Sequence, residues 1–122
     1  MNTIALLFVV VAGVFHLAVF AMESLLFMKP STYKRFGVPT EAEATIAKPW
    51  AFNQGFYNLF LALGALGGLV AGGDKGHAIS LFACACMVGA GLVLIGSNRR
   101  MARAAAMQAG PPLAALVLAA VL

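Results

Sequence analysis

Two ionisable side chains, His16 and Glu23, lie inside the first apolar run of the chain, residues 3–28. They are seven residues apart, and on an α-helix this spacing is a rotation of about 700°, so both share one face within roughly 20°. Phe20 and Phe27 complete a stripe that is typical of a protein interior. Imidazole and carboxyl groups are the side chains best able to exchange protons near neutral pH. We therefore predict that Glu23 and His16 are the acid–base groups of a catalytic site.

A second group of polar side chains opens the next apolar run, in the segment WAFNQGFYN: Asn53, Gln54, Tyr57 and Asn58. The i,i+4 spacing within this group places its members on one broad helical sector. Amides and a phenol are suited to orienting the polar head of a small molecule. Gln108 is expected at a similar depth, and Phe20 and Phe27 are expected to hold the apolar part of the ligand.

The composition indicates that hydrocarbon surrounds most of the protein. Of 122 residues, 62% are hydrophobic and only 10% are charged, whereas soluble domains use roughly 25% charged residues. The net charge of +4 does not indicate a nucleic-acid partner, because the basic residues are confined to short segments between apolar runs. We expect instead a membrane lipid or another lipophilic small molecule as partner, and a homo-oligomer is compatible with this composition.

Four apolar runs are long enough to be membrane helices, which need about 20 residues each. The predicted spans are residues 3–28, 50–71, 77–96 and 104–122, and the predicted fold is an all-α, antiparallel, up-down four-helix bundle forming one domain, residues 1–122. Residues 29–49 are expected to be a loop with a short helix near residues 40–47, where Thr40 and Glu43 resemble a capping box. The fourth helix is expected to be kinked at Pro111–Pro112.

The basic residues predict the orientation of the spans. Residues 29–49 contain four Lys or Arg and residues 97–103 contain three, whereas the connection between the second and third spans contains only Lys75. Basic loops stay in the cytoplasm. We therefore predict a multi-pass membrane protein, with loops 29–49 and 97–103 cytoplasmic and both termini outside.

Metal and cofactor chemistry is not expected from these residues. His16 and Glu23 offer two ligands, whereas a zinc site needs three or four. Cys84 and Cys86 diverge on a helix as an i,i+2 pair, and we interpret them as small packing residues.

The motifs of the chain resemble those of the DUF1304 family of small bacterial integral membrane proteins. The resemblance covers essentially the whole chain: HLAVFAME in the first run, Phe36-Gly37, NQGFYN at the start of the second, and QAGPP in the last. The family motif corresponds here to His16, Glu23, Asn53, Gln54, Gly55, Tyr57, Asn58, Gln108 and Pro111. The resemblance implies four transmembrane helices in the bacterial plasma (inner) membrane, and it implies no activity.

Three functions are compatible with these residues. The first is an intramembrane polar pocket that binds a lipophilic molecule, with or without proton-transfer chemistry on it, so whether the protein is an enzyme stays open. The second is a dimeric, proton-coupled exporter that uses Glu23, since small multidrug-resistance transporters are also four-helix chains with a glutamate in the first helix, although their motifs are not found here. The third is a non-catalytic accessory protein whose polar groups only join helices.

The orientation can be tested with reporter fusions. Alkaline phosphatase fused after Leu122 is expected to be active, because an even number of spans returns the C-terminus to the outer side, and the same reporter inserted in residues 29–49 is expected to be inactive. An inactive fusion after Leu122 would contradict either the crossing of the fourth span or the orientation.

Overall fold

Helix is the only regular structure in the computed structural model of the protein, which describes residues 1–122. The five α-helices are α1 (Thr3–Phe20), α2 (Pro30–Arg35), α3 (Glu41–Ala71), α4 (Gly73–Ser97) and α5 (Ala102–Val121). Two short turns of other helical types complete the chain: a π-helical turn at Ala21–Leu25 and a 3₁₀ turn at Arg99–Met101.

Four helical segments are long and apolar enough to cross a membrane: Thr3–Leu25, Glu41–Ala71, Gly73–Ser97 and Arg99–Val121. Their outward faces carry large apolar side chains such as Leu7, Val70 and Phe82, each more than half exposed. Hydrocarbon accommodates such faces without cost. The predicted all-α membrane fold with four spanning helices is therefore confirmed.

The chain consists of two compact units, and the first combines Met1–His16 with Leu61–Leu122. All four long helices contribute to the core of this unit, because α1, α3, α4 and α5 each bury small or medium-sized side chains in one cluster: Val9, Ala12, Ala65, Ala83, Cys84, Met87 and Ala115. Four of these seven are alanines, and small side chains allow helices in a membrane to approach closely. This unit is a four-helix bundle.

Close contact between α3 and α4 depends on Gly68. A Cβ atom at this position would overlap the Ser80 hydroxyl and the Gly76 carbonyl oxygen. The Ser80 hydroxyl in turn donates a hydrogen bond of 2.7 Å to the Ala65 carbonyl. The chain reverses between the two helices at Gly72 and Gly73, whose φ angles of 67° and 66° favour glycine.

Helix α5 contains both prolines of its sequence motif, and the helix continues through them from Ala102 to Val121. Pro112 is fully buried in the first unit. The side chain of Asn2 joins the start of α1 to the end of α5, because its Nδ2 donates to the Leu118 carbonyl at 3.0 Å while its Oδ1 accepts from the Ala5 amide at 2.9 Å.

The second unit, Leu17–Phe60, contains the end of the first span, α2 and the first part of α3. Its core is formed by Phe27, Tyr33, Ala44 and Ala51. Pro30 is the first residue of α2, where its missing amide hydrogen costs nothing. Gly37 follows α2 with a φ of 79° and allows the chain to turn toward α3.

Two segments differ from the sequence-based expectation. The helix expected near residues 40–47 is present, but it does not end before the second span, because α3 begins at Glu41 and continues through Pro49 to Ala71. Thr45, whose carbonyl loses its helical donor to this proline, is exposed and can bond to water. The Thr40 cap was predicted correctly, since its Oγ1 accepts a hydrogen bond from the Glu43 amide at 3.2 Å. The first span ends as a π-helical turn at Leu25 rather than as an α-helix at Met28.

The α3–α4 contact can be tested with a pair of adjacent glycines. Gly68→Ala is expected to lower the free energy of unfolding by about 1–3 kcal/mol, because the methyl group would overlap backbone and Ser80 atoms. Gly67→Ala is the matched control, since no atom lies within 4 Å of a Cβ built there, and a better helix former should stabilise the protein by about 0.5–1 kcal/mol. Thermal unfolding in detergent measures both; equal effects would contradict the described packing.

Candidate functional site

The π-helical turn at Ala21–Leu25 positions the only acidic residue of the first span, Glu23. Its defining hydrogen bond joins the Leu26 amide to the Ala21 carbonyl at 2.9 Å, five residues back along the chain. A turn of this type is wider than an α-helical turn and occurs frequently at functional sites. The regular α-helical register assumed for Glu23 therefore does not extend through this turn.

Glu23 is bound by Asn58 on α3. The Asn58 Nδ2 donates a hydrogen bond of 2.6 Å to Glu23 Oε1, and both side chains are buried, with exposed fractions of 7% for Asn58 and 9% for Glu23. The same Nδ2 donates to the Gln54 carbonyl at 3.2 Å. An intramembrane carboxyl group needs such a polar partner, since hydrocarbon offers none.

Asn58 reaches Glu23 because it lies on the buried seam of α3. The buried residues of α3 within this unit are Ala44, Ala51, Gly55 and Asn58, spaced by seven, four and three positions. This spacing is one face of a helix. Asn58 is the only polar side chain on this seam, so it is the residue that can donate a hydrogen bond to Glu23.

Ser24 and Gly55 bring the two segments together beside this pair. The Ser24 hydroxyl donates a hydrogen bond of 2.8 Å to the Phe52 carbonyl. A Cβ atom on Gly55 would overlap the Ser24 hydroxyl and would lie 3.0 Å from the Ser24 amide nitrogen. Glycine is therefore required at position 55 for the close approach that allows the Glu23–Asn58 hydrogen bond.

Phenylalanine rings form an apolar wall that joins the same two segments. The Phe56 ring contacts Phe20 edge to face at a centroid distance of 5.1 Å and contacts Phe52 at 5.0 Å. Phe60 extends this ladder at 6.4 Å from Phe56. Phe20 lies three residues before Glu23 along the chain, so the wall and the polar pair join the same two segments.

The remaining residues predicted for the site in this unit lie elsewhere. The side chains of Asn53, Gln54 and Tyr57 are exposed, and only the backbone carbonyl of Gln54 takes part in the described hydrogen bonds. Phe27 is buried, but it packs in the core cluster with Tyr33. The structure thus brings together Glu23 with Asn58, and Phe20 with Phe56.

His16 and Gln108 belong to the first unit and are described there. His16 is fully buried, and its Nδ1 donates to the Ala12 carbonyl at 2.8 Å. Its Nε2 therefore carries a free lone pair, and it is a fully enclosed polar side-chain atom without a hydrogen-bond partner. Gln108 is half-buried on α5.

Sequence reasoning did not assign Ser24, Phe52, Gly55 or Phe56 to the site. A signal for two of them was present, because Ser24 is a polar residue inside an apolar run and Gly55 is the glycine of the NQGFYN segment. Their meeting depends on the π-helical turn, and local sequence does not predict that turn.

A comparison with known protein families covers nearly the whole chain. The family model DUF1304, protein of unknown function, matches residues 4–120. The chain belongs to the DUF1304 family. The match includes both helical segments that form the Glu23–Asn58 pair. No curated protein and no solved structure matches the chain.

In this DUF1304 protein, the arrangement can accept a hydrogen-bond donor or exchange a proton within the membrane. Glu23 uses one oxygen for Asn58, and its Oε2 has no partner in the hydrogen bonds of this unit. The aromatic wall offers an adjoining surface for an apolar group. No group of three or more His, Cys, Asp or Glu side chains is placed to hold a metal ion.

Two substitutions of Glu23 distinguish the contribution of its hydrogen bond to stability from that of its carboxyl group. Glu23→Gln is expected to change the free energy of unfolding by less than about 0.5 kcal/mol, because its Oε1 still accepts from Asn58. Glu23→Ala is expected to cost about 1–2 kcal/mol, since the buried Asn58 amide loses its acceptor. Thermal unfolding in detergent checks both. A larger loss in Glu23→Gln than in Glu23→Ala would contradict this geometry.

Proposed function

We propose that this protein binds a lipophilic small molecule in the membrane through the Glu23 carboxyl group, which also serves as the proton donor or acceptor. The observation that carries the proposal is the buried Glu23–Asn58 pair at a π-helical turn. The Phe20–Phe56 contact joins the same two segments. A carboxyl group in a membrane segment is costly and marks a functional site by default. Helix association alone would be served by an amide at position 23.

The proposed division of roles follows from the contacts. Asn58 orients the carboxyl group by donating to Oε1, which leaves Oε2 for the polar head of the ligand. Phe20 and Phe56 offer the apolar surface that lies along the ligand body. Ser24 and Gly55 hold the two segments at the distance that this arrangement needs.

Asn53, Gln54 and Tyr57 enter the proposal in a different role from Asn58. Their side chains are exposed on the outer face of α3. There they can contact a ligand that enters from the membrane, or they can contact a second copy of the chain. The roles of Gln108 and His16 in the site remain predictions from the sequence. The free Nε2 of His16 is chemically able to accept a proton, and His16→Gln tests whether activity requires it.

The bacterial plasma membrane is the proposed location, with residues 29–49 and 97–103 on the cytoplasmic side. The distribution of basic residues supports this orientation. Lys29, Lys34, Arg35 and Lys48 are all exposed in the second unit, as expected for segments at the aqueous surface.

The proposal is tested by the molecule that accompanies the purified protein. Solvent extracts of the native protein, Glu23→Gln and Glu41→Gln are compared by mass spectrometry. Glu41→Gln is the matched control, because it removes a carboxyl group from an exposed position of the same unit. We expect one lipophilic compound in the native and Glu41→Gln samples and at least about a tenfold reduction in Glu23→Gln, the effect of roughly 1.4 kcal/mol of lost binding.

The accessory-protein hypothesis predicts a different outcome. If the extracts of the three proteins are the same, the polar pair only joins helices and binds no ligand.

A further inference from the structure

The hydrogen bonds around Glu23 restrict the chemistry of a ligand more than the carboxyl group alone does. An asparagine amide has two N–H donors and one acceptor oxygen. Both donors of Asn58 are used, one by Glu23 Oε1 at 2.6 Å and one by the Gln54 carbonyl at 3.2 Å. Asn58 therefore has only its acceptor, Oδ1, left to offer.

The second free group of the pair is also an acceptor. Glu23 Oε2 takes part in no hydrogen bond of this unit, and Oε1 already accepts from Asn58. Only one side-chain polar atom, His16 Nε2, is both fully enclosed and without a hydrogen-bond partner. Glu23 Oε2 and Asn58 Oδ1 are therefore not fully enclosed. When Glu23 is ionised, both oxygens can only accept, and a group that satisfies them must donate hydrogen bonds.

The charge of the ligand distinguishes among the possible hydrogen-bond donors. The basic side chains of this unit, Lys29, Lys34, Arg35 and Lys48, are all exposed, and the only hydrogen-bond partner of the Glu23 carboxyl group is a neutral amide. An ionised carboxylate in a membrane segment needs an opposite charge. A charge-assisted hydrogen bond is roughly twice as strong as a neutral one.

The aromatic wall favours the same kind of ligand. A cation is attracted to the face of an aromatic ring within about 6 Å of its centroid. The ring of Phe56 lies 5.1 Å from that of Phe20 and 5.0 Å from that of Phe52, and these rings also suit an alkyl or aryl body. We infer that the Glu23 site takes a lipophilic amine, bound as an ammonium group that donates to Glu23 Oε2 and Asn58 Oδ1.

This inference rests on the proposed function and names its ligand class. Lipophilic alcohols, carboxylic acids and quaternary ammonium ions are the alternatives that the geometry disfavours. An alcohol has no charge, a carboxylate would repel Glu23, and a quaternary ammonium ion has no N–H to donate.

The test compares four probes with the same C12 chain: dodecylamine, dodecanol, dodecanoate and dodecyltrimethylammonium. Each is titrated into the protein in phosphatidylcholine nanodiscs, and binding is corrected with empty nanodiscs to remove partition into lipid. We expect dodecylamine to bind at least about tenfold more tightly than any other probe. Glu23→Gln should remove this preference, and Glu41→Gln should retain it.

The outcomes separate the inference from the proposed function. If dodecanol or dodecyltrimethylammonium binds as tightly as dodecylamine and depends on Glu23, the ligand class is wrong and the binding function stands. If no probe binds in a Glu23-dependent manner, the proposed function fails as well. The ranking of the four probes on the native protein decides the ligand class even if Glu23→Gln does not fold.

The side-chain amide of Asn58 gives an independent measurement. Its two N–H groups are held by Glu23 and Gln54, so an ammonium ion that binds Oε2 and Oδ1 should shift its nitrogen resonance in ¹⁵N-labelled protein. Dodecanoate at the same concentration is the control. A resonance that responds equally to both probes would overturn the inference.

Discussion

A polar group inside a hydrocarbon layer has to find its partner within the protein, and this constraint governs the second unit of the chain. Glu23 brings a carboxyl group into the first span, and Asn58 brings an amide onto the buried seam of α3. The two can meet only where the backbones approach closely, since both side chains are short. Gly55, which leaves room for Ser24, supplies this approach. The π-helical turn at Ala21–Leu25 then places Glu23 opposite Asn58.

The same constraint leads to a different solution in the first unit. There the four long helices pack through alanines and glycines, and the polar groups that enter the interior mostly bond to backbone carbonyls. Ser80 donates to Ala65, and His16 donates to Ala12. Such bonds satisfy the side chain without requiring a second polar side chain opposite it. A hydrogen bond between two side chains is found only for Glu23 and Asn58, which is why chemistry is proposed there.

Much of the candidate site could be predicted from residue type. Glu23 and Asn58 stand out because they are polar residues in apolar runs, and helical spacing puts Phe20 near Glu23. The prediction for Asn53, Gln54 and Tyr57 treated the whole sector as inward-facing, whereas α3 turns their side chains outward. Which face of α3 is buried depends on where its small residues meet the neighbouring backbone. The relevant seam passes through Ala51, Gly55 and Asn58.

The sequence by itself determined the environment, the helical class and the four spanning segments, because hydrophobicity and helix length are properties of local composition. It also determined the Thr40 cap, which needs only four consecutive residues. Only the tertiary structure decided that the helix starting at Glu41 continues into the second span, that the first span ends in a π-helical turn, and that Asn58 is the partner of Glu23. These features depend on contacts between residues up to 35 positions apart, and local propensity does not encode such contacts.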